Sequence, residues 1–168
     1  MILVGGIGNI FFGDDAFGSE VAQRLLRRPQ RPNVRVVDFG IRGLDLVFAL
    51  LEPLDGVVLI DATPRGGRPG SLYVIEPVLP DPTSSPMMSL DAHRLDPVTV
   101  LTAACVMGAR LNRIRIIGCE PEHLGDPEEG HCGLSDCLRN AVDEAILIVE
   151  SQIEEISNDT KQHMETLQ

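Results

Sequence analysis

Asp15, Asp61 and His93 are the residues of this chain whose types and positions suit chemistry. Each falls just past the end of an expected strand or in a loop on the same rim, and such rims are where open α/β sheets build their sites. Two carboxylates and one imidazole meeting there suit a divalent metal, or a water polarised for peptide cleavage. Asp61 ends an almost wholly apolar run, Gly56-Val-Val-Leu-Ile-Asp61. An acid at that point is costly to bury unless it caps, pairs or ligates. Asp14 and Asp15 precede an expected helix, where a negative charge gains roughly 0.3–1 kcal/mol from the helix dipole. Such an acid stays ionised and is able to bind a cation, although either aspartate taken singly reads as a cap. His93 stands in a proline- and serine-rich loop over 77–92 and the residues just after it. A lone loop histidine is ordinarily a solvated surface group; the shared rim is what sets this one apart.

The elements that must position these residues alternate strand and helix. Met1 to Gly6 and Val34 to Asp38 read as strands, and Gly56 to Asp61 as a central parallel strand, since it is apolar throughout. Ser71 to Glu76 reads as a further strand at an edge, and Arg113 to Cys119 as the last. Helices are predicted from Ala16 to about Arg28, with Phe17, Val21 and Leu25 recurring every four residues, and from Leu44 to Leu51, with an apolar face of Leu44, Val47, Phe48 and Leu51. A third opens with Asp96 as N-cap and Pro97 at the first helical position and runs to about Arg110. The last starts at Ser135 and reaches about Ile156. The expected architecture is α/β: a three-layer αβα sandwich around a mostly parallel twisted sheet of about five strands. It forms a single domain over residues 1–156, with a frayed polar tail over 157–168.

A chain of 168 residues is long enough for one substantial core, and with one Tyr, five Phe and no Trp that core is aliphatic. The net charge of −11 leaves nothing to neutralise phosphates, so nucleic acid is excluded as a partner. No run reaches the ~20 apolar residues of a membrane span. The N-terminus lacks a basic region before its apolar stretch, so it does not read as a signal peptide. Four cysteines without a Cys-x-x-Cys pair, in a chain that needs no staples, point to the cytoplasm.

Three other chemistries have partial signals in the sequence. Gly6-x-Gly8 follows a strand and precedes a helix, and Asp38 lies where a ribose-binding acid would, as in dinucleotide folds. However, position 11 is Phe11 rather than the third glycine, and Asp14 and Asp15 occupy the helix N-terminus that a pyrophosphate would need. A serine nucleophile lacks its Gly-x-Ser-x-Gly elbow, and Cys105 falls inside a helix as core. His123, His131, Cys132 and Cys137 cluster, yet their spacing fits no common zinc pattern, and Cys137 is expected to face along a helix rather than toward the loop.

Several segments in order carry a family resemblance. They are Gly8-Asn9-Ile10-Phe11-Phe12-Gly13-Asp14-Asp15-Ala16-Phe17-Gly18, then Asp38-Phe39-Gly40 with Gly43 and Leu44, then Leu59-Ile60-Asp61-Ala62. Ala92-His93-Arg94, Gly118-Cys119-Glu120-Pro121-Glu122 and Gly133-Leu134-Ser135 follow. Over about Ile2 to Ile148 the chain resembles the endopeptidases that mature nickel–iron hydrogenases. The opening segment is the most specific of these, and the others persuade by their order. The resemblance implies removal of a C-terminal peptide from the precursor of the hydrogenase large subunit after nickel insertion. It implies that Asp15, Asp61 and His93 contact nickel carried by that precursor, the protease itself being metal-free at rest. Asp38 is an acid the family also carries, a base or structural partner beside Asp15. The family's Thr in the second segment is Ile41 here, Arg42 follows it, and Phe39 replaces a common glycine, which bears on the shape of that loop. The water is activated either by metal or by a carboxylate. The alternative from another class is a non-catalytic α/β module that holds a metal or nucleotide.

Overall fold

In the computed structural model, which describes residues 1–79, 96–124 and 133–166, the chain forms a five-stranded sheet between two helical layers. The elements in order are β1 (Ile2–Ile7), a 3-10 turn (Asp14–Ala16), α1 (Phe17–Leu26), β2 (Val34–Gly40) and α2 (Gly43–Leu50). There follow β3 (Gly56–Ala62), β4 (Leu72–Ile75), α3 (Pro97–Val106), β5 (Ile114–Cys119) and α4 (Asp136–Thr166). The strand order is β2-β1-β3-β5-β4. All neighbours are parallel except β4, which runs antiparallel to β5 at the edge. The expected α/β sandwich is therefore what the chain adopts.

Alternation along β3 divides the core in two. Val58 and Ile60 join Phe17, Val21, Leu25, Val142, Ile146 and Val149 on the α1/α4 face. Val57 and Leu59 join Leu46, Val47, Leu50, Val100, Leu101 and Ala104 on the α2/α3 face. Both faces of β3 are covered, and that is why its sequence is apolar without alternation. β1 sits between β2 and β3, so the chain order reverses there and a crevice opens beyond the carboxyl ends of β1 and β3.

Close approach fixes that crevice. A Cβ on Gly18 would stand 2.1 Å from the Ile60 carbonyl oxygen and 2.2 Å from that of Ile7. The first turn of α1 therefore rests directly on the ends of β1 and β3. Gly8, at φ +139, has no room either: its Cβ would meet the Asp15 carbonyl oxygen at 1.8 Å.

Four expectations need correcting. α2 buries Leu46, Val47 and Leu50, while Leu44, Phe48 and Leu51 stand exposed. Apart from Asp45 and the small Gly43 and Ala49, every residue of the helix is a large apolar one, so period alone offers two faces, and packing against the sheet and α3 selects the other one. α3 ends at Val106 rather than near Arg110, because Gly108 turns the chain at φ +99 and the Ala109 N–H bonds back to Ala104. α1 stops at Leu26, and α4 continues past Ile156 to Thr166, with the Ser157 and Thr160 hydroxyls donating to the carbonyls of Ile153 and Ile156. No helix among the described residues is long and apolar enough to cross a membrane.

Because both nearest atoms to a Gly18 Cβ are backbone, nothing flexible yields. Gly18→Ala should destabilise the fold by about 3 kcal/mol, in the range of overpacked cores. Urea unfolding followed by circular dichroism checks this; an alanine variant as stable as wild type would contradict the close approach.

Candidate functional site

Asp61 is the penultimate residue of β3, 8% exposed and opposite Gly118 of β5. Asp15 lies in the 3-10 turn between β1 and α1. Its carboxylate accepts the Asn9 N–H at 2.8 Å, which fixes its direction across the crevice. The two acids act on each other. Burial pushes the Asp61 carboxyl well above the usual carboxylate range, and the Asp15 charge and then that of Asp96 push it further. The Asp15 carboxyl is also raised by burial, against the lowering effect of the Asn9 amide. Asp61 is the deeper of the two and so takes up a proton first. Two oxygen-donor side chains held together in this way suit a cation, which would relieve their repulsion, or a shared proton. His93 lies outside the described residues. Asp96, three residues later, caps α3 through the Val98 and Thr99 N–H groups and stands near enough to act on Asp61.

Asp38 takes a different position. In register it lies opposite Gly6, which in turn lies opposite Ile60. Paired residues in a sheet share a face, so Asp38 points into the α1 layer, while Asp61, one residue past Ile60, points to the other. Its strand lies two strands from β3, about 10 Å away. Its carboxylate accepts Gln23 Nε2 at 3.0 Å and the Gly40 N–H at 3.1 Å. It lines a separate open cleft of about 240 Å³ with Gly8, Asn9, Ser19 and Ile41 among its walls. Asn9 is the link between the two, lining the cleft with one group and holding Asp15 with another.

Sequence reasoning missed what Asp14 does. It is 1% exposed. Its carboxylate accepts the N–H groups of Glu122 (2.8 Å), His123 (3.0 Å) and Ser135 (2.7 Å), and the Ser135 hydroxyl at 3.0 Å. It ties the turn holding Asp15 to the segment after β5 and to the start of α4. Burial alone would raise its pKa, but these donors outweigh that and hold it below the ordinary value. A doublet of acids in which one cannot cap and ligate at once was the only signal available. Glu120 was likewise missed: buried at the end of β5, it accepts the Arg65 and Gly66 N–H groups and the Tyr73 hydroxyl, closing the β3–β4 loop.

Among the described residues no group of three His, Cys, Asp or Glu is arranged to hold a metal. His131 and Cys132 of the suspected zinc cluster lie outside them. Cys137, contrary to expectation, faces the loop, with Sγ 3.1 Å from Ser135 Oγ and 3.6 Å from Glu122 Oε2. Cys105 is half-buried, its thiol pushed up by burial.

Two expected outcomes follow from the opposite shifts. A folded carboxyl raised above its unfolded value costs stability once pH climbs past that unfolded value, and the full cost is present above the folded one. Asp61→Asn should therefore stabilise the protein at pH 7. The gain should shrink as pH falls toward 4, read from thermal melts. For Asp14 the sign reverses. Its contribution is full above the unfolded value and lost as pH falls through the lower folded one. Asp14→Ala should cost about 2–4 kcal/mol at pH 7; equal urea midpoints for variant and wild type would count against the clamp.

The likeness to known proteins agrees with this geometry. A family model described as hydrogenase maturation protease matches residues 19–152. The chain is 31% identical over 153 residues to a putative hydrogenase maturation protease of Methanocaldococcus jannaschii, covering 90% of this chain and 96% of that one. It is 37% identical over 127 residues to the hydrogenase expression/formation protein HupD of Bradyrhizobium diazoefficiens, covering 74% of this chain and 65% of that protein, which is less than two thirds of its length. Its structure resembles the hydrogenase maturating endopeptidase HybD from E. coli, with a TM-score of 0.73, 25% identity and 92% of each chain covered. The α/β frame, the acids at its crevice and these matches together mean that the chain belongs to the hydrogenase maturation protease family.

Proposed function

We propose that this chain is the endopeptidase that removes a C-terminal peptide from the nickel-loaded precursor of a NiFe-hydrogenase large subunit. The observation that carries the reading is the Asp15–Asp61 pair at the crevice beyond β1 and β3, in a chain of this family. Two like charges brought together in a partly buried site are at a disadvantage until a cation or proton joins them. Nickel arriving with the precursor would supply that cation, and Asp15, Asp61 and His93 would be its contacts on the protease. The support for His93 is the family resemblance and its place in the sequence just before Asp96. The nickel belongs to the substrate, so the resting protease needs none of its own.

The scissile peptide bond would then lie across the crevice, and a water beside it would give a proton to a carboxylate and attack the carbonyl carbon, the C–N bond breaking as the amine leaves. A carboxylate beside the water is a competent base, and its conjugate acid can return the proton to the leaving amine. Within the pair, an oxygen not engaged by the metal would fill that role, with Asp15 held in place by the Asn9 N–H. Asp38, the other acid of the site, would act as a base or structural partner from the neighbouring cleft, where it would meet the chain of the substrate. The compartment in which this happens is expected to be the cytoplasm.

Incubation of the purified chain with nickel-loaded and nickel-free precursor, with the product read by mass, is the deciding experiment. A shortened product only from the loaded precursor is expected. Intact mass from both, with nickel transferred between the proteins, would instead make the chain a metal carrier. His93→Ala and Asp61→Asn should each slow processing by roughly 10²-fold or more, the scale of losing one acid–base or electrostatic partner.

A further inference from the structure

The outer side of α2 is apolar and faces no other part of the described structure. Leu44 is 60% exposed and Phe48 59%, with Leu51 one turn further along the same stripe. Ile41, 61% exposed, stands just before the helix, and across the cleft from it are Ile10 and, at 70%, Phe11. Isolated exposed apolar side chains are ordinary, but a run of this kind, continuing along the chain from Ile41 at the edge of a cleft into α2, marks an interaction surface. Arg42, the basic group at its centre, is already engaged: it donates to the Phe39 and Asp38 carbonyl oxygens and pairs with Asp45.

We infer that this surface, from Ile10 and Phe11 across Ile41 to Leu44 and Phe48, docks an apolar face of the precursor protein beside its cleavable C-terminal arm. The inference rests on the protease reading above and adds the partner surface to it. Two observations choose this occupant. The first is continuity: the cleft that Ile10, Phe11 and Ile41 line also contains Asn9, whose N–H holds the Asp15 carboxylate. A protein whose peptide bond reaches Asp15 and Asp61 passes over this ground. The second is charge. The chain carries −11, and apposing two copies would bring like net charges together. A two-fold contact also needs a self-complementary patch, whereas this one surrounds an open cleft with an acid, Asp38, in its wall. A protruding chain arm with apolar flanks fits such a shape. Because Leu44 and Phe48 are exposed and lie outside the core, changing them alters recognition and leaves the reacting groups in place.

The test is steady-state processing of nickel-loaded precursor by wild type and by a Leu44→Ser/Phe48→Ser double variant, with folding checked by circular dichroism. The expected result is a KM raised tenfold or more with kcat within twofold. An unchanged KM overturns the docking surface. So does a wild type that sediments as a dimer while the variant sediments as a monomer, since a second copy then covers the patch. If wild type cleaves no precursor, the protease reading fails separately. Calorimetric binding of the same precursor to the two proteins then still decides: tenfold weaker binding by the variant supports the surface, and equal binding overturns it.

Discussion

Repulsion between two carboxylates at the end of a buried sheet sets the terms for the rest of this structure. Asp61 loses water on entering the crevice, and Asp15 adds a like charge. Left to itself, such a pair separates or protonates. The fold prevents separation by pinning Asp15 from both sides. The Asn9 N–H holds its carboxylate. On the other side the adjacent Asp14 is locked to residues more than a hundred positions away, with its carboxylate accepting four hydrogen bonds from Glu122, His123 and Ser135. One acid of the doublet is therefore spent on stability so that its neighbour can be kept in an unfavourable place. Opposite pKa displacements on adjacent residues are the electrostatic signature of that division.

The same constraint explains the glycines. Asp15 meets Asp61 only if α1 begins directly above the ends of β1 and β3, and Gly18 permits that contact where any side chain would strike the Ile7 or Ile60 carbonyl. Gly8 lets the loop pass against the backbone of Asp15. Neither glycine contributes a side chain to the core. Both convert a generic α/β crossover into one whose first turn lies within reach of the next strand's acid.

The frame of the molecule was readable because its signals are local. An unbroken apolar run gave β3, Asp96 with Pro97 gave the start of α3, and Phe17, Val21 and Leu25 gave the buried side of α1. Asp15 and Asp61 were readable as a pair because strand ends on one rim converge. What escaped was whatever depends on a distant partner. Leu44 and Phe48 repeat with the same period as Leu46 and Leu50, so only packing against α3 and the sheet distinguishes the exposed side of α2. Which face of the sheet Asp38 shares also depends on register, and a one-residue difference in parity turns it to the other face from Asp61. The polar segment after Ile156 reads as frayed by composition, yet Ile153 and Ile156 anchor α4 and carry it on to Thr166.

The loop from Gly8 to Asp15 ties these threads together. Gly8 supplies the close approach, Asn9 the hydrogen bond that aims Asp15, Ile10 and Phe11 an exposed apolar rim, and Asp14 the anchor. Recognition and chemistry are thus carried on one stretch of backbone pinned at both ends. Hydrogen bonds at both ends leave such a stretch few soft dihedrals. Phe11 stands four residues from Asp15 along it. Under the docking proposed above, seating of the partner and placement of the carboxylate would therefore depend on the same few hydrogen bonds.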